Sequence, residues 1–211
     1  GNLVVAGGET QGLFFMFDTI RCWDRKSGRQ VAHLDLGDGD LLSYTISPDE
    51  TRLIGGDRRG RIMVWDLASG KLLRSFNGRS PKITAVALTP DGRKIVSGGD
   101  DGFLRLWEMD KGRLTREWHG HARKVQELAV LPDGTRLVSS GEDETVRIWN
   151  LETGREVLQF QGFGGNIIRG NGLAVSADGR RIAFFAGRDQ QKVDVWDTST
   201  GKKLVTFPSQ G

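Results

Sequence analysis

Short apolar runs recur along the chain and stop at polar, glycine-rich punctuation. No window sustains apolar residues at helical spacing between caps, so the pattern predicts strands throughout. Five of the runs end in tryptophan: Ile20–Trp23, Ile62–Trp65, Leu104–Trp107, Val146–Trp149 and Val193–Trp196. The tryptophans are spaced by 42, 42, 42 and 47 residues. A turn precedes each of the last four, as Ser47-Pro-Asp-Glu50, Thr89-Pro-Asp-Gly92, Leu131-Pro-Asp-Gly134 and Ser176-Ala-Asp-Gly179. Markers in phase at this period are the signature of an internal repeat.

Within one period, turn residues separate four strands. In the third repeat they are predicted at Ile83–Leu88, Lys94–Ser97, Phe103–Trp107 and Leu114–Trp118. A four-stranded antiparallel sheet of this size cannot bury both of its faces alone, whereas radial stacking of several sheets does so. The expected fold is all-β: a propeller of four-stranded antiparallel blades over residues 1–211, with blades near 1–36, 37–78, 79–120, 121–162 and 163–211. Thr45, Ala87, Ala129 and Ala174 place small side chains at one register of the first strand, fitting a crowded axis. The first repeat opens on Leu3–Ala6, a second strand by alignment, and the last closes on Lys203–Phe207, an outer strand. An inner strand is a poor one to lack, because its loss exposes an edge at the axis. The expectation is therefore an incomplete ring, the carboxyl-terminal five blades of a larger propeller; a compact five-blade ring is the competing reading.

Charge adds little. Thirty basic residues face 27 acidic ones, a net of +3 with no block of five or six like charges. Neither a nucleic-acid partner nor a membrane is expected from that dispersion, and no apolar stretch approaches the roughly 20 residues of a membrane helix. Cys22 is the only cysteine, which rules out an intrachain disulfide and favours a reducing, cytoplasmic compartment without fixing one.

Candidate chemistry is sparse. His119-Gly-His121 has no third ligand nearby, so no metal is expected. Gly37–Asp40 has the start of a calcium loop, but Leu42 and Ser43 stand where a ligand and a glycine are required. Gly7–Gly12 lacks the Gly-Lys-Ser/Thr of a phosphate loop, and no Gly-x-Ser-x-Gly turn occurs. No catalytic residue and no cofactor is expected.

On its tryptophan period, its Pro-Asp-Gly turns and Gly120-His121 with Ser139, Asp143 and Trp149, the chain resembles the WD-repeat propeller family over its whole length. Its near-uniform blades look like those of bacterial WD-repeat proteins. The resemblance implies a structural set in which Asp143 accepts from His121, and His121 links through Ser139 to the Trp149 indole. The third blade keeps Ser97, Asp101 and Trp107 but has Arg79 at the histidine position, and the second has Gly55 and Arg59 for Ser and Asp. It also implies a non-catalytic scaffold that binds other proteins or peptides on its rim. The alternative is a regulatory or substrate-gating propeller of a multidomain enzyme, with a kinase or protease domain upstream in the same chain. The family's rim positions map to Asp40, Leu42 and Arg58; Lys82, Thr84 and Asp100; Lys124, Gln126 and Glu142; and Arg169, Asn171 and Arg188. Length departures fall near 8–18, 163–169 and 187–192, the first counted as six extra residues. That first segment holds Leu13-Phe-Phe-Met-Phe17, so Phe14 and Phe15 read either as an apolar docking patch or as a lengthened, buried third strand.

Overall fold

The structure is a computed structural model and describes residues 3–8, 19–36, 41–161, 172–186 and 192–208. Nineteen strands and no helix occur among these residues, grouped in five antiparallel sheets whose strands lie in chain order. The first sheet has three, β1 (Leu3–Gly8), β2 (Thr19–Asp24) and β3 (Gln30–Asp35). The second holds β4 (Leu41–Ile46), β5 (Arg52–Asp57), β6 (Arg61–Asp66) and β7 (Leu72–Asn77). In the third are β8 (Ile83–Leu88), β9 (Lys94–Gly99), β10 (Phe103–Glu108) and β11 (Arg113–His119). The fourth is built from β12 (Val125–Val130), β13 (Arg136–Gly141), β14 (Thr145–Asn150) and β15 (Glu156–Gln161). The fifth comprises β16 (Leu173–Val175), β17 (Arg181–Ala186), β18 (Lys192–Asp197) and β19 (Lys203–Pro208).

The turns explain why the chain reverses where it does. After four of the five tryptophans the next residue accepts from the backbone three positions on: Asp24 from Ser27, Asp66 from Ser69, Asn150 from Thr153 and Asp197 from Thr200. These are Asx turns, and the residue immediately after the donor is a glycine with positive φ, as at Gly70 (69°) and Gly154 (69°). In the hairpin between first and second strands, Ser47, Thr89 and Ser176 donate their hydroxyls to Asp49, Asp91 and Asp178. Those hydrogen bonds hold the three carboxyls below the ordinary aspartate range, Asp49 at about 2.

Alternation along each strand sends side chains to opposite faces of its sheet, so every sheet has two apolar faces to bury. Four buried clusters do this, each shared by two consecutive sheets. One face, here called trailing, presents the residues one and three before the tryptophan, such as Ile62 and Val64. They meet the leading face of the next sheet, where Trp107 and Ile95 lie. The same arrangement repeats with Ile20 and Cys22 against Trp65 and Leu53, and with Leu104 and Leu106 against Trp149 and Leu137. Burial of Cys22 in the first cluster raises its thiol pKa. Ala85 packs on the trailing side of β8, while Val86 belongs to the cluster on the leading side. The inner strands β4, β8 and β12 line a cavity of about 560 Å³.

Pairing corrects one sequence count. Gly7 pairs with Ile20, and the residue that pairs with the equivalent Ile62 is Gly56, not Gly55. The connection between β1 and β2 is accordingly seven residues longer than its counterpart in the second sheet, not six. Phe14 and Phe15 lie in that connection, outside the described residues.

Candidate functional site

The end of the molecule where second strands turn into third strands carries both the polar network and most of the rim positions. In the fourth sheet, β13 supplies Ser139, the β13–β14 turn supplies Asp143, β14 supplies Trp149, and the segment before β12 supplies His121. Trp149 Nε1 donates to Ser139 Oγ at 2.8 Å, Ser139 Oγ lies 2.7 Å from His121 Nε2, and His121 Nδ1 lies 2.8 Å from Asp143 Oδ1. Asp143 also accepts from the Ala122 and Thr145 backbone amides, and Arg147 Nη2 sits 3.3 Å away. The indole can only donate and the carboxylate can only accept. The proton order is therefore fixed: Ser139 donates to Nε2, and Nδ1–H donates to Asp143. Gly141 has no side chain because the imidazole lies against it; a Cβ there would fall 2.5 Å from His121 Nδ1.

His121 and Ser139 are both fully buried. Burial pushes the imidazole below its ordinary value of 6.5, against the opposing pull of the Asp143 hydrogen bond. Burial alone would raise Asp143, but the bonds from His121, Ala122 and Thr145 overcome it and leave the carboxyl below 3.8. Both groups thus hold fewer protons folded than unfolded, so stability rises with pH wherever they titrate. The thermal midpoint is expected to be flat from pH 7 to 8, to fall as pH drops below about 6.5, and to fall again through the carboxylate range. Thermal melts from pH 8 to pH 4 read this directly, and a midpoint that rises on acidification would contradict it.

The third sheet departs from this network by one residue. Trp107 Nε1 donates to Ser97 Oγ at 2.9 Å. Arg79 takes a left-handed conformation, φ 60°, which turns the side chain of the following Ser80 into the place His121 holds in the fourth sheet. A Cβ on Gly99, the counterpart of Gly141, would meet Ser80 Oγ at 2.3 Å and Asp101 Oδ1 at 2.4 Å. With no imidazole to hold, Asp101 pairs with the buried Arg105 at 2.7 Å, and Arg105 reaches Glu117 at 2.6 Å on its other side.

In the second sheet the turn aspartate has moved. Asp57, at the register of Gly99 and Gly141, is fully buried and accepts from the Arg59 and Arg61 amides at 3.0 and 2.6 Å. Its second oxygen accepts from Arg61 Nε at 2.6 Å. Leu41 fills the space a serine would need at Gly55, since a Cβ there would lie 2.7 Å from Leu41 Cδ2. Asp57 lies two residues before the repeat's aspartate position, so the repeat register does not point to it; the signal for it in the sequence is a carboxylate directly after the apolar stretch Leu53–Gly56. Exchange of Asp57 for alanine is expected to cost about 1–3 kcal/mol by removing the buried carboxylate that two turn amides and the Arg61 guanidinium bond, measured by urea unfolding. In the fifth sheet Phe184 stands at the serine register and stacks on Trp196, 6.0 Å between centroids and 6° between planes.

The rim positions divide by exposure. Arg58, Lys82 and Asp100 are exposed, while Leu42, Lys124, Gln126 and Glu142 are half-buried. Lys82 and Asp100 pair at 3.5 Å, and Lys124 and Glu142, their counterparts one period on, pair at 3.4 Å. Thr84 is buried: its hydroxyl donates to the Gly98 and Val125 carbonyls at 3.2 and 2.6 Å, so it ties two sheets together and does not face solvent. Asp40, Arg169, Asn171 and Arg188 lie outside the described residues. Glu127 accepts from the Gly172 and Leu173 amides at 2.6 and 3.1 Å, joining the fourth inner strand to the fifth. His119 packs edge-on against Phe103 and His121 is committed to Ser139 and Asp143, so the pair does not converge. Among the described residues no group of three or more His, Cys, Asp or Glu could hold a metal, and no helix is long and apolar enough to cross a membrane.

Radially stacked four-stranded sheets whose third strand ends in a buried tryptophan define the blades of a β-propeller. The family described as WD domain, G-beta repeat matches residues 70–108 and 112–150, so these two segments carry WD repeats. Each matched segment starts in or before the outer strand of one sheet and ends just past the tryptophan of the next, so the sequence repeat links neighbouring blades covalently. No curated protein matches the chain. WD40 repeats generally mediate protein–protein interaction, and their domains are typically non-catalytic.

Proposed function

We propose that this protein is a non-catalytic scaffold that holds a partner protein on the rim formed by Arg58, Lys82, Asp100, Lys124 and Glu142. The observation that supports this reading is the repeated Lys–acid pair at 3.5 and 3.4 Å, set one period apart on consecutive blades. Exposed pairs of this kind add little to stability, so the fold does not need them where they stand. A rim that alternates in sign favours a polar, charged partner segment, and its contribution is greatest to specificity and association rate.

The test is charge reversal. Arg58→Glu, Lys82→Glu and Lys124→Glu together are expected to leave the melting curve within a few degrees of wild type. Capture of the partner by the tagged protein is expected to fall at least tenfold. A matched variant on the opposite end, Arg93→Glu with Lys94→Glu, is expected to retain it. Equal capture by all three proteins would remove the rim from the binding role.

A further inference from the structure

We infer that Asn77 is a latent deamidation site, held shut by the joint between the second and third sheets and released only when that joint opens. In an Asn-Gly pair the backbone nitrogen of the glycine is unhindered, because no side chain stands beside it. That nitrogen attacks the asparagine Cγ. A C–N bond forms, the Cγ–Nδ2 bond breaks, and Nδ2 leaves as ammonia with the proton that the glycine amide gives up. Water then opens the cyclic imide at one carbonyl to give aspartate, or at the other to give isoaspartate, whose main chain is longer by one methylene. Asn77 and Gly78 form such a pair where β7 ends, and Asn77 is exposed to solvent.

The fold engages both reacting groups. Gly78 N donates to Gly60 O at 2.7 Å, and the Asn77 carboxamide oxygen accepts from Arg79 N at 2.7 Å. Gly78 is buried, wedged between the β5–β6 turn and the first residue of β8. A Cβ on it would fall 2.5 Å from Ile83 Cδ1 and 3.0 Å from Gly60 O. The amide proton is committed to the Gly60 carbonyl, and a five-membered ring closing on this nitrogen has no room against Ile83. Reaction therefore waits until Gly78 separates from Gly60 and Ile83, which is a local opening of the joint.

The repeat shows what each member of the pair contributes. Gly120 stands one period after Gly78, and it too donates to a turn glycine, Gly102 O at 3.0 Å, with a Cβ falling 2.6 Å from Leu104 Cδ1. Packing thus imposes the glycine at this register. His119 precedes it in the third sheet. In the second, Asn77 supplies the acceptor that braces Arg79 in its left-handed turn, φ 60°. The side chain that shapes the entry to the third sheet is the one whose chemistry can undo it. An isoaspartate at 77 would add a main-chain methylene beside a glycine with no slack, and a negative charge next to Arg79 on the rim.

Peptide mapping by mass spectrometry tests this, following the amide-to-acid conversion at position 77 during storage at neutral pH. Three samples are compared: the native protein, the chain unfolded in guanidinium, and native Ile83→Val. That substitution deletes Cδ1, the atom nearest Gly78, and keeps a β-branched apolar residue in the core. The native rate is expected to be about tenfold or more below the unfolded rate, as for a reaction that proceeds only from an opened state. Ile83→Val is expected to raise the native rate about threefold or more and to leave the unfolded rate unchanged. Native protein that deamidates at 77 as fast as the unfolded chain would overturn the inference. So would a native rate that Ile83→Val leaves where it was, because the joint would then not be the gate.

Discussion

Exchanging His121 for alanine is expected to lower the stability of the protein by about 3–5 kcal/mol, a third or more of what holds most domains folded. Two costs combine. The imidazole is fully buried, and its removal opens a space against Gly141. The groups it joined also lose their partners: Ser139 loses the acceptor for its proton, and Asp143 loses its 2.8 Å donor while staying largely enclosed. Ser80 occupies the equivalent place in the third sheet, and its hydroxyl has no protein partner among the described residues. Ser80→Ala is therefore expected to change stability by less than about 1 kcal/mol. Urea unfolding followed by tryptophan fluorescence compares the two, and hydrogen exchange at β13 and β14 tests whether the His121 loss is local. Similar costs for His121→Ala and Ser80→Ala would sink the argument that the network, and not the slot, supplies the stability.

What could be read from the sequence were features that repeat in phase. The tryptophan spacing and the two-residue alternation in all five blades, and the turn before the second strand in the last four, locate every sheet, because the same neighbour-to-neighbour packing imposes them. Features that break phase could not be read in this way. Asp57 does the work of a turn aspartate from two residues earlier, and only the folded backbone shows that the Arg59 and Arg61 amides converge on it. Ser80 reaches the histidine slot because Arg79 adopts φ 60°, a backbone choice that no alignment of repeats reveals. Thr84 looks like a rim residue by register, yet the carbonyl of the neighbouring blade captures its hydroxyl. The Glu127 grip on the fifth inner strand likewise depends on contact across blades. Rim and network positions follow from the repeat; which of them face solvent depends on how adjacent sheets dock.

Gly98 offers the sharpest test of that docking. Glycine inside a strand ordinarily costs stability relative to alanine, by about 0.5–1 kcal/mol, so at an open site a larger residue would be favourable. Here the sign reverses. A Cβ on Gly98 would fall 2.4 Å from Cγ1 and 2.8 Å from Cβ of Val125, the first residue of the next inner strand. Val125 is fully buried and β-branched, so its side chain has few rotamers to retreat into. Its backbone is held as well, since Thr84 bonds both the Gly98 and Val125 carbonyls. Gly98→Val is expected to cost about 3 kcal/mol through this clash, and Val125→Ala about 2 kcal/mol through the space it leaves. In the double variant the new valine enters the space the old one vacated, so the combined cost is expected to fall short of the sum by 1 kcal/mol or more, about the range measured for contacting residues. Costs that simply add would mean the two sheets are not locked at this point, and that glycine is kept in β9 for some property of its own backbone. A shortfall would establish that the glycine at this register of the third blade is shaped by the first residue of the blade that follows, as Gly56 of the second is by Ile83 at 2.3 Å.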